Sequence, residues 1–282
     1  MITFITDTGC DIPSNVNTPY DVKYLPLRVF LKNKEYDDKV TIMPQELYSA
    51  ELNGELASTS LPRPELIEGT IKEASSKSEA VYVITISAKL SNTHDLIKNI
   101  VNSLGVTNVV VLDSKTASIK QAYVVLKAME YLKERGKLNQ AIIDQIVSNS
   151  LLVFFVPTLE YLYKGGRIGK AKALLGKVLN IKPILTTDDE GEVNTLATSR
   201  SNELAISSMS NLAKNFIQNK GLENSYSIIG GYTISSMKAN LDKLLSHFSS
   251  SSVIGSSTIG SAIAAHVGPE AFGLVVGEKI NL

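Results

Sequence analysis

Tryptophan is absent from this 282-residue chain, aromatic residues make up only 6% of it, and there is a single cysteine, Cys10. One thiol excludes an internal disulfide and suits a reducing cytoplasm. Histidine is almost as sparse. His94, His247 and His266 stand far apart, and neither CxxC nor HExxH spacing occurs, so the usual signatures of metal chemistry are missing. No apolar run approaches the roughly 18–20 residues of a membrane span. Met1 leads straight into "ITFITD", without a basic and then apolar leader, so no signal peptide is expected. An excess of charge is also lacking, since Lys+Arg 28 is balanced by Asp+Glu 28. That balance argues against a nucleic-acid binder, whose affinity rests on a basic face that neutralises phosphates.

What remains is an ordinary globular composition, 44% hydrophobic and 20% charged. The length is generous for one core, so two domains are expected, 1–150 and 151–282. "ITFITD" (2–7), "AVYVITIS" (80–87) and "NVVVLD" (108–113) are short apolar runs ending in polar residues, the profile of buried parallel strands. Helical candidates follow the second and third: "SNTHDLIKNIVNSL", which Ser91 could cap, and "TASIKQAYVVLKAMEYLKERG", which stops at Gly136. This alternation implies a parallel sheet with its ligand at the carboxyl ends of the strands, placing Asp7, the Ser87–Ser91 segment and Asp113 on one rim. Asp7 and Asp113 read there as strand-end caps. Residues 19–38 read as a hairpin-like excursion turning near Asn33. A connecting helix is expected over 137–150. Beyond it, "LLVFFVP", a short helix ending at "KGG", a helix over "KALLGKVLN", a strand pair about an Asp-Glu-Gly turn and two further strand–helix alternations imply a second α/β unit with a mixed sheet.

"KGGRIGKAK" (164–172) sets two glycines beside an arginine, a combination suited to an anion. It is not a nucleotide signature: G-x-x-x-x-G-K-[ST] is absent, and "GGRIG" lacks the G-x-G-x-x-G spacing. Taken alone, it reads more simply as a helix C-cap with a surface arginine.

Other segments change that balance. "ITDTGCDIP" (5–13) resembles the T-D-[ST]-x-[SC]-D-[IL]-P signature of the DegV family. "TSLPRPELI" (59–67) is similar to its T-S-x-P-[ST] loop, "ISAKLSNTHD" (86–95) to its S-x-x-L-S-G-T loop, and "VLDSKTAS" (111–118) to its D-S-x-x-x-S strand end. "LEYLYKGGRIG" with "LNIKPIL", and "HVGPEAFG" (266–273), complete six matches in register along the whole chain.

The resemblance implies a two-domain DegV-like α/β protein, a parallel-sheet α/β/α domain followed by a mixed-sheet domain. It implies that a long-chain fatty acid is held between the two and presented to a separate ATP-binding kinase subunit, which converts the carboxylate to an acyl phosphate. No cofactor, metal or nucleic acid is expected, the location is cytoplasmic, and transient membrane contact is expected. Carried over onto this sequence, Thr59 and Ser91 would donate to the carboxylate, with Thr93 and the Asn92 backbone beside them. Arg167 and His266 would form a basic layer behind, His266 able to change charge near neutral pH. Three residues depart from the family pattern: Asn92 for glycine, Glu270 for glycine and Arg63 for a small hydroxyl residue. The tail pocket is expected around Leu174, Leu175, Val178, Leu179, Ile181, Ile254 and Ile263. Two other readings stand beside this one. The first is a stand-alone enzyme, a hydrolase or small-carbonyl site using His266 and Ser91, although no G-x-S-x-G elbow is present. The second is a carrier of another amphiphile.

Overall fold

The computed structural model describes residues 1–176 and 181–282. The first half forms strands β1 (Ile2–Asp7), β2 (Asp21–Leu25), β3 (Arg28–Leu31) and β4 (Lys34–Asp37), helix α1 (Pro44–Leu52), β5 (Ser58–Ser60), α2 (Pro64–Lys77), β6 (Ala80–Thr85), α3 (Thr93–Leu104), β7 (Val109–Asp113), α4 (Ser118–Arg135) and α5 (Gln140–Ser148). The second half forms β8 (Ser150–Phe155), α6 (Glu160–Lys164), β9 (Lys182–Thr187), β10 (Val193–Ser199), α7 (Asn202–Asn219), β11 (Tyr226–Tyr232), α8 (Ser235–Leu245), β12 (Val253–Thr258), α9 (Ser261–Val267) and β13 (Phe272–Glu278).

Strands β2-β1-β6-β7 make a parallel sheet, and β10-β9-β8-β13-β11-β12 make a mixed one. The protein is therefore of the α/β class that its strand pattern implies. β1 and β6 are buried on both faces, β6 as an apolar run up to Thr85 and β1 with the hydroxyls of Thr3 and Thr6 hydrogen-bonded inside. Between the two sheets lies α4, buried continuously from Ser118 to Leu132. One cluster joins its Tyr123, Leu126 and Met129 to Phe4, Tyr82 and Leu112 of the parallel sheet and to Leu152, Ile229 and Val275 of the mixed sheet. Alternation along β8 sorts the opposite faces of the mixed sheet. Val153 and Phe155 pack under α7 and α8 with Met209 and Leu241, whereas Leu152 and Phe154 face α4 and the cavity described below.

Three expectations are corrected. Only β3 and β4 form the hairpin, turning at Lys32 and Asn33 with φ of 51° and 61°; β2 instead joins the parallel sheet beside β1. Pro26, which has no N–H to give a ladder, separates the two fates. Thr59 is not in a loop but on β5, opposite Val29 of β3. Finally, the described start of the helix expected over 172–180 lies in a 3₁₀ turn, Gly169–Leu174. Gly169 and Gly176 adopt φ of 51° and 77°, which interrupts an α-helix, and 177–180, with the pocket candidates Val178 and Leu179, lie outside the described residues.

Candidate ligand-binding site

A cavity opens between the carboxyl ends of the parallel strands and the α4-facing side of the mixed sheet. It holds about 980 Å³ of space, its mouth included. Most of its wall is apolar: Leu90 from the β6–α3 loop, Ile119 from α4, Phe154 from β8, Leu162 from α6, and Ile259 and Ile263 at α9. Thr59, Ser91, Arg167 and His266 also line it, arriving from four separate segments of the chain.

Each of these four is fixed by its surroundings. Ser91 lies on a loop that two strand-end carboxylates hold. Asp7 accepts from the Ile86 N–H at 2.6 Å, and Asp113 accepts from the Ala88 N–H at 3.2 Å. Burial pushes the Asp7 carboxyl up to about 6, against the pull of the Ile86 N–H, the Gln121 amide and the Gly9 N–H. Ser87, on the same loop, donates to the Gly191 carbonyl at 2.9 Å and so ties the loop to the β9–β10 turn. At Gly191 φ is 91°, and any Cβ there would collide with Ser87 Oγ.

Arg167 leaves α6 through the two glycines of "KGGR". Its Nε donates to the Leu90 carbonyl at 3.1 Å and its Nη1 to the Gly165 carbonyl at 2.5 Å, bracing one loop against the other. Among the described residues no carboxylate pairs with it. The two glycines act differently. Gly166, with φ of 73°, reverses the chain, whereas Gly165 makes room, since a Cβ there would collide with His266 Nδ1.

His266, in the last turn of α9, meets Thr59: Nε2 and Thr59 Oγ1 are 2.8 Å apart. Its Nδ1 is buried and has no partner among the described residues. A proton on Nδ1 would be a buried donor without an acceptor, so the Nε2–H tautomer is favoured on hydrogen-bonding grounds. Nε2 then donates to Thr59, and the threonine hydroxyl is free to donate into the cavity. Burial, helped by the nearby Arg167 charge, pushes the imidazole down to about 4. This corrects the expectation of a charge change near neutrality: His266 is neutral at pH 7. A carboxylate that would orient Nδ1, as in a hydrolytic triad, is not found among the described residues.

The other candidates are placed elsewhere. Asn92 is exposed at the N-terminus of α3, and Thr93 is buried with its hydroxyl 2.8 Å from Ser91 Oγ, so neither lines the cavity. Thr93 steadies Ser91, and its N–H donates to Ser91 Oγ at 3.3 Å. Arg63 pairs with Glu35 at 2.7 Å and with Asp37, on β4, and Glu270 is exposed. Of the described tail candidates, Ile263 alone is in the wall; Ile254 packs against the central core. Leu152, Phe154 and Ile119 were missed. They belong to a buried strand and a helix buried all round, where apolar residues carry no sequence mark distinguishing wall from core.

Fold and cavity together define an α/β protein with an apolar chamber that ends on hydroxyls, an imidazole and a guanidinium. Residues 1–279 match the model of the DegV family of uncharacterised proteins. A DegV domain-containing protein of Clostridium acetobutylicum is 30% identical over 287 residues, which cover 99% of each chain. Among solved structures, that of a DegV family protein of Thermus thermophilus, described by its fatty acid binding, is 29% identical. It has a TM-score of 0.85 and covers 98% of this chain and 99% of its own. A stearic acid-binding protein of Eubacterium ventriosum shares the fold with a TM-score of 0.87 at 23% identity, over 99% of both chains. The chain belongs to the DegV family.

Proposed function

We propose that this protein binds a long-chain fatty acid in the cavity, with the carboxylate against Thr59, Ser91 and Arg167, and presents it to a separate ATP-dependent kinase subunit. The observation that carries the reading is the pairing of an apolar chamber with one polar end that holds an arginine lacking a carboxylate partner among the described residues. Burying a sixteen-carbon tail contributes on the order of 12 kcal/mol, at about 0.8 kcal/mol per methylene, before ordering costs. The head group needs compensation, because a carboxylate leaving water without partners incurs a heavy desolvation penalty. Thr59, freed as a donor by His266, and Ser91 supply hydroxyls, and Arg167 supplies fixed positive charge. In the proposed transfer a carboxylate oxygen attacks the γ-phosphorus of ATP and the bond to ADP breaks. The acyl phosphate formed carries more negative charge than the acid, which the same arginine favours. The relatives described as binding fatty acids support the cargo. A cytoplasmic location with transient membrane contact accords with this role.

Organic extraction of the purified protein followed by mass spectrometry should release a stoichiometric fatty acid. The stripped protein should bind hexadecanoate at least about tenfold more tightly than hexadecanol, as one charge-assisted hydrogen bond requires. Thr59→Ala should narrow that ratio. Equal affinity for acid and alcohol would sink the head-group assignment, and an empty protein that also ignores added acid would sink the cargo.

A further inference from the structure

A second polar cluster, built on the buried Asp11, joins two of the helices that wall the cavity. Asp11, whose side chain is fully buried, uses both carboxylate oxygens. Oδ2 accepts from Ser118 Oγ at 2.5 Å, and Oδ1 accepts from the Gly260 N–H at 3.1 Å and from Lys39 Nζ at 2.7 Å. Ser118 opens α4 and Gly260 precedes α9, and both helices line the cavity. The attachment to α4 is threefold, for the Ser118 N–H also donates to the Gly9 carbonyl at 2.7 Å and the Asp11 N–H to the Ser118 carbonyl at 3.4 Å. Ser118 is held at φ of 56°, which a serine adopts only under such constraint. On the α9 side Asp38, also buried, accepts from the Ser261 N–H at 2.9 Å. Gly260 permits the approach, since a Cβ there would lie 2.7 Å from Lys39 Cε. Lys39 supplies the positive charge without which Asp11 would be buried and unpaired.

Resting on the fatty-acid reading, we infer that Asp11 is a positioning residue that fixes the spacing of α4 and α9 and thereby the chamber's selectivity for tail length. The head group is served by the other end of α9. His266 follows Gly260 by six residues, about 9 Å along a helix. Loosening the clamp should therefore alter the fit of the tail while leaving the carboxylate's partners in place.

The test compares dodecanoate, hexadecanoate, octadecanoate and hexadecanol on stripped wild-type protein, Asp11→Ala and Ser118→Ala. The second variant removes one bond of the clamp, leaves the Lys39 pair intact, and decides the matter if Asp11→Ala does not fold. In each folded variant, affinity for the preferred acid should fall about tenfold as the helix spacing relaxes, and the differences among tail lengths should flatten. The ratio of hexadecanoate to hexadecanol should stay at the wild-type value. A wild-type tail profile in either folded variant, or a flattened profile accompanied by loss of that ratio, overturns the inference. Wild-type protein that binds no acid overturns the reading beneath it instead.

Discussion

Gly165→Ala should weaken hexadecanoate binding about tenfold, or 1.4 kcal/mol, and cost about 1–3 kcal/mol of stability through overpacking. The backbone at Gly165 has φ of −75°, which alanine adopts without strain, so the effect must come through the side chain. The added methyl would occupy the place of His266 Nδ1 and drive the imidazole off Thr59. Thr59 would then lose the donor that leaves its own hydroxyl proton free for the ligand. Gly166→Ala is the control. Its φ is 73° and nothing lies within 4 Å of the new methyl, so it should cost about 1 kcal/mol of stability through backbone strain and change binding little. Titration calorimetry with chemical denaturation measures both quantities. Equal binding losses in the two variants would mean that the loop, not the imidazole, matters.

The second large effect concerns stability and pH. Glu51, on α1, is 3% exposed, and neither carboxylate oxygen has a partner among the described residues. Burial pushes its carboxyl up to about 8. Between the ordinary carboxylate range and that value the folded protein holds a proton that the unfolded chain releases, so stability falls as pH rises through this window. Glu51→Gln removes the titration. At pH 5 the variant and the wild type should differ only by the fixed cost of the amide. By pH 9 the variant should have gained about 2–4 kcal/mol relative to the wild type. Urea denaturation at pH 5, 7 and 9 reads this directly, and parallel curves for the two proteins would contradict it.

These two residues mark how far the sequence could be read. The "KGGR" stretch was visible as an anion-suited signal, and the resemblance to one family joined it to the "HVGP" element. That Gly165 exists to admit His266 was not visible, because a contact between residues a hundred positions apart leaves no local pattern. The strands were legible where burial on both faces makes them largely apolar, as in β6. The region at 169–176 was misread because "KALLG" has the composition of a helix, whereas Gly169 and Gly176 take left-handed backbone conformations. Asp11 was noted only as part of a signature. Its work, joining the starts of two helices, follows from tertiary structure alone. Glu51 gave no signal at all, since an acid on an ordinary helix reads as solvated.

The central claim is that a carboxylate sits where Thr59, Ser91 and Arg167 converge. The direct measurement is a crystal structure of the stripped protein reloaded with hexadecanoate. Carboxylate oxygens are expected within about 2.5–3.2 Å of Thr59 Oγ1 and Ser91 Oγ, with the tail running past Ile119 and Phe154. A carboxylate directed away from these residues, or a chamber still empty after loading, would contradict that claim.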